Sequence, residues 1–240
     1  RLILNADWFK SLTDDMITYT SLPTYYGYET YASNGGSSQN TGYEFNIYGK
    51  PVNNTFKLEV NASLSKYDNK VIALENDEII TSFTGGEKIA RAGDPMGLFY
   101  GYRADGVFES QQQADETNLF DKSGRRFNAG DIRFADLDGN GIIDEQDKTI
   151  IGNPHPEFIA SLYNRFSFKG WALILFVQGV NGVDVFNYVK SQTEPMTGVE
   201  NQTKAIYTRW TTEGQQTNIP KSSYGDPMGN NRFSSRWIED

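Results

Sequence analysis

Asp136 to Asp147 carry oxygen-bearing side chains at the spacing that a hard divalent cation requires. The run Asp136-Leu137-Asp138-Gly139-Asn140-Gly141-Ile142-Ile143-Asp144-Glu145-Gln146-Asp147 follows the pattern of a calcium loop, with Asp147 at the last position where Glu is usual. Asp136, Asp138, Asn140, Asp144 and Asp147 would supply side-chain oxygens, and Ile142 its backbone carbonyl. Gly141 permits the sharp turn inside the loop. The expected role of Ca2+ is structural, bracing a loop, and no flanking helices are evident. The alternative is an Asx-rich turn that satisfies its own backbone without metal.

Other chemistry has little support. The chain has no Cys and a single His, His155, set in the turn-rich stretch Asn153-Pro154-His155-Pro156. Thiolate catalysis, disulfides and thiolate zinc sites are excluded, and His155 reads as a loop residue. No nucleophile elbow is present, and nothing places two carboxyl groups at glycosidase spacing. No catalytic residue is assigned, and the chain is not expected to be an enzyme. Tyr25, Tyr26, Tyr28 and Tyr31 crowd one segment, where packing against each other is the commoner outcome and stacking on ligand rings the other.

Lys and Arg number 22 against 31 Asp and Glu, a net charge of −9, so nucleic acid is not an expected partner. Hydrophobic residues make up 38% and aromatics 14%, with no apolar run long enough for a membrane-spanning helix. The start, Arg1-Leu2-Ile3-Leu4, reads as the interior of a longer protein.

The elements that would carry such loops are strands. Phe56, Leu58, Val60, Ala62 and Leu64 alternate with Lys57, Glu59, Asn61 and Ser63, a period of two without a slip. Tyr43, Phe45 and Ile47 alternate upstream, and Leu2, Leu4, Ala6 and Trp8 do so at the start. Leu162, Asn164, Phe166 and Phe168 run into Lys169-Gly170, and Trp171, Leu173, Leu175 and Val177 lead away. Five strands follow, near 1–19, 41–50, 55–67, 157–168 and 171–180, with long excursions at 20–40, 68–156 and 181–235. Tight turns and long excursions fall at opposite ends, as in outer-membrane barrels, which have short periplasmic turns and long outer loops. The fold class expected is all-β: an antiparallel segment of a large transmembrane β-barrel, with Leu58, Val60, Leu162, Phe166, Leu173 and Leu175 facing lipid. Lys57, Glu59, Asn61 and Arg165 would face the lumen. The alternative is a secreted, calcium-stabilised β-sandwich binding polysaccharide, its apolar face buried as a core.

Gly93-Asp94-Pro95-Met96-Gly97-Leu98-Phe99-Tyr100-Gly101-Tyr102, Asp105-Gly106-Val107-Phe108, Gly130-Asp131-Ile132-Arg133-Phe134 and the calcium-like loop occur in that order. Ile151-Gly152-Asn153-Pro154, Lys169-Gly170-Trp171 and Ser235-Arg236-Trp237-Ile238-Glu239-Asp240 follow. This string resembles the C-terminal barrel region of the SusC/RagA family of TonB-linked outer-membrane transporters of Bacteroidetes-type Gram-negative bacteria. The resemblance implies a barrel of about 22 strands, with a plug domain and final strands outside these residues. It also implies a SusD-like surface lipoprotein as partner, glycan or oligopeptide as ligand, and coupling to the TonB complex through N-terminal parts.

Overall fold

The structure is a computed structural model that describes residues 1–22, 24–28 and 30–240. Its long strands, in chain order, begin with β1 (Leu2–Ser21), β2 (Thr30–Asn53) and β3 (Phe56–Leu74). β4 (Glu78–Phe83), β5 (Gly86–Arg91), β6 (Leu98–Tyr102) and β7 (Lys148–Gly152) follow, then β8 (Phe158–Phe168) and β9 (Trp171–Asn181). One antiparallel sheet has the order β1-β2-β3-β8-β9, and a second has the order β7-β6-β5-β4. No helix among the described residues is long and apolar enough to cross a membrane.

The large sheet is an open wall whose two faces follow the alternation. Leu58 pairs with Phe166, Phe166 with Leu173, and Leu64 with Phe45, so the apolar residues of neighbouring strands share one face. Glu59 pairs with Arg165, Asn61 with Tyr163, and Ser63 with Ser161 on the other. The Phe168-Lys169-Gly170-Trp171 connection is a two-residue hairpin with positive φ at Lys169 (45°) and Gly170 (88°). Both central residues are left-handed, as a type I′ turn requires, and its twist matches the strands it joins.

Two expectations need correction. Residues 20–40 are not a loose excursion: β1 continues to Ser21 and β2 starts at Thr30, with Tyr19 opposite Ala32 and Thr13 opposite Ser38. The stretch Ser33-Asn34-Gly35-Gly36-Ser37-Ser38-Gln39-Asn40 has no apolar alternation, so its pairing rests on the backbone ladder and is invisible to hydrophobic periodicity. β3 likewise runs on to Leu74. The second correction is that 68–156 and 181–235 are not separate loops but one folded body with its own core.

That core gathers Tyr102, Val107, Phe108, Leu119, Phe127, Ile132, Phe134 and Ile143 with Met228 from the far excursion. Phe83, Phe99 and Phe186 surround Phe233 at ring-centroid distances of 5.2 to 6.4 Å. The Tyr102 amide donates to the Phe233 carbonyl, and the Lys221 amide to the Gly130 carbonyl. Gly130 has φ +82°, and a Cβ there would lie 2.5 Å from Trp210, so backbone geometry and packing both demand glycine.

Asp131 joins the two excursions. It is fully buried, takes the Asn128 amide at 2.9 Å and the Asn230 side-chain amide at 3.0 Å, and lies 3.1 Å from Lys221 Nζ. Removing one member of such a pair strands the other and costs about 3 kcal/mol. Asp131→Ala is therefore expected to strip hydrogen-exchange protection from the Ile132 and Lys221 amides while leaving β8 and β9 protected.

Candidate functional site

The wall offers two chemically opposite surfaces. On β9, Trp171 is 83% exposed, Val177 65% and Leu173 57%, and no layer among the described residues covers them. A β-sandwich built from these residues would hide these side chains beneath an opposing sheet, which the described residues do not form. On the other face, the Asn46 amide donates to Asn61 Oδ1 at 2.8 Å, Ser63 and Ser161 hydroxyls meet at 2.6 Å, and Lys50 Nζ lies 2.6 Å from Glu59. Asn69 donates to Asn40 at 2.8 Å further along. The alternation is imperfect. Asn164 shares the apolar face, and Ile174 and Phe176 of β9 lie on the polar one, each more than half exposed.

β1 spans 20 residues, roughly 65 Å at about 3.3 Å per residue, against roughly 36 Å for the 11 residues of β9. An outer-membrane apolar band is about 25 Å tall, so β1, β2 and β3 stand well beyond it. Above the end of β8 the free edge of β3 is taken by the folded body: Val71 donates to the Asp94 carbonyl and accepts from the Gly93 amide, both at 2.9 Å. Val71 is fully buried, and the Met96 amide donates to Asn69 Oδ1 at 2.7 Å. His155 closes the same junction, its Nε2 2.8 Å from the Met96 carbonyl oxygen and its ring edge-on to Tyr67. It is a structural residue there, as its loop setting implies.

The calcium-like loop follows the strand Ile132–Phe134 in this body and ends in the short 3-10 turn Glu145–Asp147, without flanking helices. Asp136, Asp138 and Asp147 each bring a carboxylate oxygen within 4.8 Å of the others. Asp147 is fully buried and accepts from the Leu137 amide at 2.7 Å and the Asp144 amide at 2.8 Å, which ties the two ends of the loop together. Asp136 accepts from the Gly139 and Gly141 amides, and Asn140 Oδ1 from the Ile142 amide at 2.6 Å. Asp144 is not brought into the group; its carboxylate accepts from the Gln146 amide at 2.8 Å and caps the turn. The loop thus makes its own Asx caps and also gathers three carboxylates. Of the crowded tyrosines, Tyr25 and Tyr26 pack with centroids 4.4 Å apart, and Tyr31 donates to Glu75 at 2.6 Å.

No protein-family model matches the chain. TonB-dependent receptor P3 of Formosa agariphila is 30% identical over 248 residues, which cover 100% of this chain and 24% of that receptor. TonB-dependent receptor SusC of Bacteroides thetaiotaomicron is 26% identical over 176 residues, 71% of this chain and 17% of SusC. The chain thus spans about a quarter of the length of the first of these curated relatives. In structure it resembles the RagAB peptide transporter, with a TM-score of 0.75, 19% identity and coverage of 100% of this chain and 25% of that one. The resemblance read from the ordered motifs stands, and the fold is a segment of an outer-membrane receptor barrel, open in these residues.

Asp121, buried beside the calcium-like loop, shows how this body holds charge. Burial pushes its carboxyl up, but the Ser123 hydroxyl and amide and the Arg125 amide and guanidinium outweigh it, holding the pKa at about 2 against an ordinary 3.8. With the folded value depressed, this contribution is present in full above about pH 4 and is lost as pH falls through about 2. Hydrogen exchange at the Ser123 and Arg125 amides, corrected for intrinsic rates, is expected to lose protection across that window. Asp121→Asn is expected to flatten the pH dependence.

Proposed function

We infer that this chain, similar along its whole length to TonB-dependent receptors, forms part of the wall and outer loops of a nutrient importer. It resides in the outer membrane of a Bacteroidetes-type Gram-negative bacterium, and its relatives are receptors, not enzymes. The cargo is a glycan or an oligopeptide, taken up together with a SusD-like surface lipoprotein. The TonB complex acts through parts of the protein outside these residues. One observation carries the reading: the apolar face of the wall is uncovered while the opposite face carries Lys57, Glu59, Asn61 and Arg165. Lipid tails satisfy the first face, and the lumen the second. In hydrocarbon each strand N–H and C=O needs a partner on the neighbouring strand, which the unbroken β3-β8-β9 ladders provide.

The adjacent residues Ser161 and Leu162 test this in the full-length receptor, because they point to opposite faces. Leu162→Arg on the lipid face is expected to cost about 2–4 kcal/mol of folding stability in bilayers, and Ser161→Arg much less. A fully soluble, detergent-free receptor indifferent to Leu162→Arg would sink the reading.

The loop from Asp136 to Asp147 is further proposed to hold a structural Ca2+ through Asp136, Asp138, Asn140 and Asp147, with the Ile142 carbonyl as the remaining protein ligand. The convergence of three carboxylates, one fully buried, supports this. Asp144 serves instead as the cap of the following turn. Calcium at a hundredfold excess over its Kd stabilises a folded state by about 2.7 kcal/mol. Thermal unfolding of the outer loops is expected to shift upward with Ca2+ and back with chelator, and Asp147→Asn to remove the shift. An unmoved transition with either addition counts against the metal.

A further inference from the structure

Buried charges in the outer body are closely matched at Asp131, Asp121 and Lys148, which lies 2.7 Å from Glu87. Arg236 is different. Its side chain is only 7% exposed, yet its pair with Glu194 is stretched to 3.8 Å. Nη2 reaches the Glu194 carbonyl at 3.5 Å, and Nη1 is shielded from water with no hydrogen-bond partner among the described residues. The guanidinium carbon sits 4.2 Å from the Trp237 ring centroid, which fixes the fork in place. A guanidinium carries five donors in a rigid plane, and burying one without matched acceptors is costly. Burial pushes its pKa down, to about 10, consistent with a cation short of partners.

Arg236 borders a cavity of about 500 Å3. Ile132, Ala205 and Ile219 form apolar walls, and Lys190, Glu194 and Arg236 are its charged residues. Glu194 is already approached by the Thr203 hydroxyl at 3.4 Å, and Lys190 by Glu239 at 3.1 Å. The lining has no aromatic face for a sugar ring to stack on.

The geometry points to a ligand subsite in this cavity for a carboxylate on a short apolar stem, such as the C-terminus of an oligopeptide. The oxyanion complements the buried guanidinium charge through a charge-assisted hydrogen bond, and the stem lies against Ala205 and Ile219. This rests on the importer reading, because the stem belongs to a ligand captured by the outer loops.

The test uses the full-length receptor purified in detergent and calorimetric titration with N-acetyl-trialanine as its free acid and as its C-terminal amide. A glucuronic acid trimer serves as a carboxylate from a sugar source. The free acid is expected to bind about tenfold more tightly than the amide, and Arg236→Gln to erase that preference. Ala205→Trp adds bulk to the cavity lining at a second residue, and it is expected to erase the preference even if Arg236→Gln fails to fold. Equal binding of acid and amide, no binding of either, a preference that survives Ala205→Trp, or tighter binding of the uronate each overturns the subsite. A receptor recovered from the outer membrane without acid preference loses this subsite alone. A receptor absent from that membrane loses the importer reading itself.

Discussion

Backbone hydrogen bonding in a medium that supplies none is the constraint behind this structure. A face meeting hydrocarbon cannot leave an N–H or C=O unpaired, and a sheet satisfies this only while each strand has a neighbour. β2, β3 and β8 have one on both sides, whereas β1 and β9 each have one neighbour within the described residues. The chain is accordingly a sector of a wall, and its apolar residues gain little from each other. They are stable where hydrocarbon takes the place of a second protein layer, and that is why Trp171 and Val177 remain so exposed.

The outer body answers the same constraint in water by a different route. Its strands are short, some of only two residues, and much of its backbone is satisfied by side chains instead of ladders. Asp121, Asp131, Asp136, Asp147 and Asp226 each accept from at least one main-chain amide. An acidic composition that looks like a solvated surface in the sequence is therefore partly an internal hydrogen-bond supply. The aromatic cluster around Phe233 ties the two excursions of this body together, and the Val71 bridge fastens the body to the tall strand β3.

What could be read from the residues follows from which forces write a local pattern. The wall from Phe56 to Leu64 was legible because one face meets an apolar medium and every second residue records it. The paired stretch from Thr30 to Asn40 was not, since its Ser, Asn, Gly and Gln residues are held by the ladder and by contacts such as the Ser33 hydroxyl donating to Glu75. β9 is ambiguous for the opposite reason: Ala172, Ile174 and Phe176 are as apolar as their neighbours, and its register with β8 places Leu173, Leu175 and Val177 on the face expected. The carboxylates of Asp136, Asp138 and Asp147 were legible as a local string, and the departure of Asp144 was not, because its role as a turn cap depends on the backbone around it. The meeting of Asp131 with Lys221 and Asn230 joins positions about ninety residues or more apart and leaves no local mark.

Charge burial separates scaffold from site in this body. Asp131 and Asp121 are deep, yet each carboxylate oxygen meets a donor, so each tightens the fold and offers nothing to a newcomer. Arg236 is comparably deep but incompletely met, and it borders open volume. A fold that had only to satisfy itself would gain by drawing Glu194 closer or by replacing Arg236 with an apolar residue of similar size, since buried pairs are often outperformed by such replacements. Retaining a cation in that state is costly unless an acceptor arrives, which is what the proposed subsite would supply.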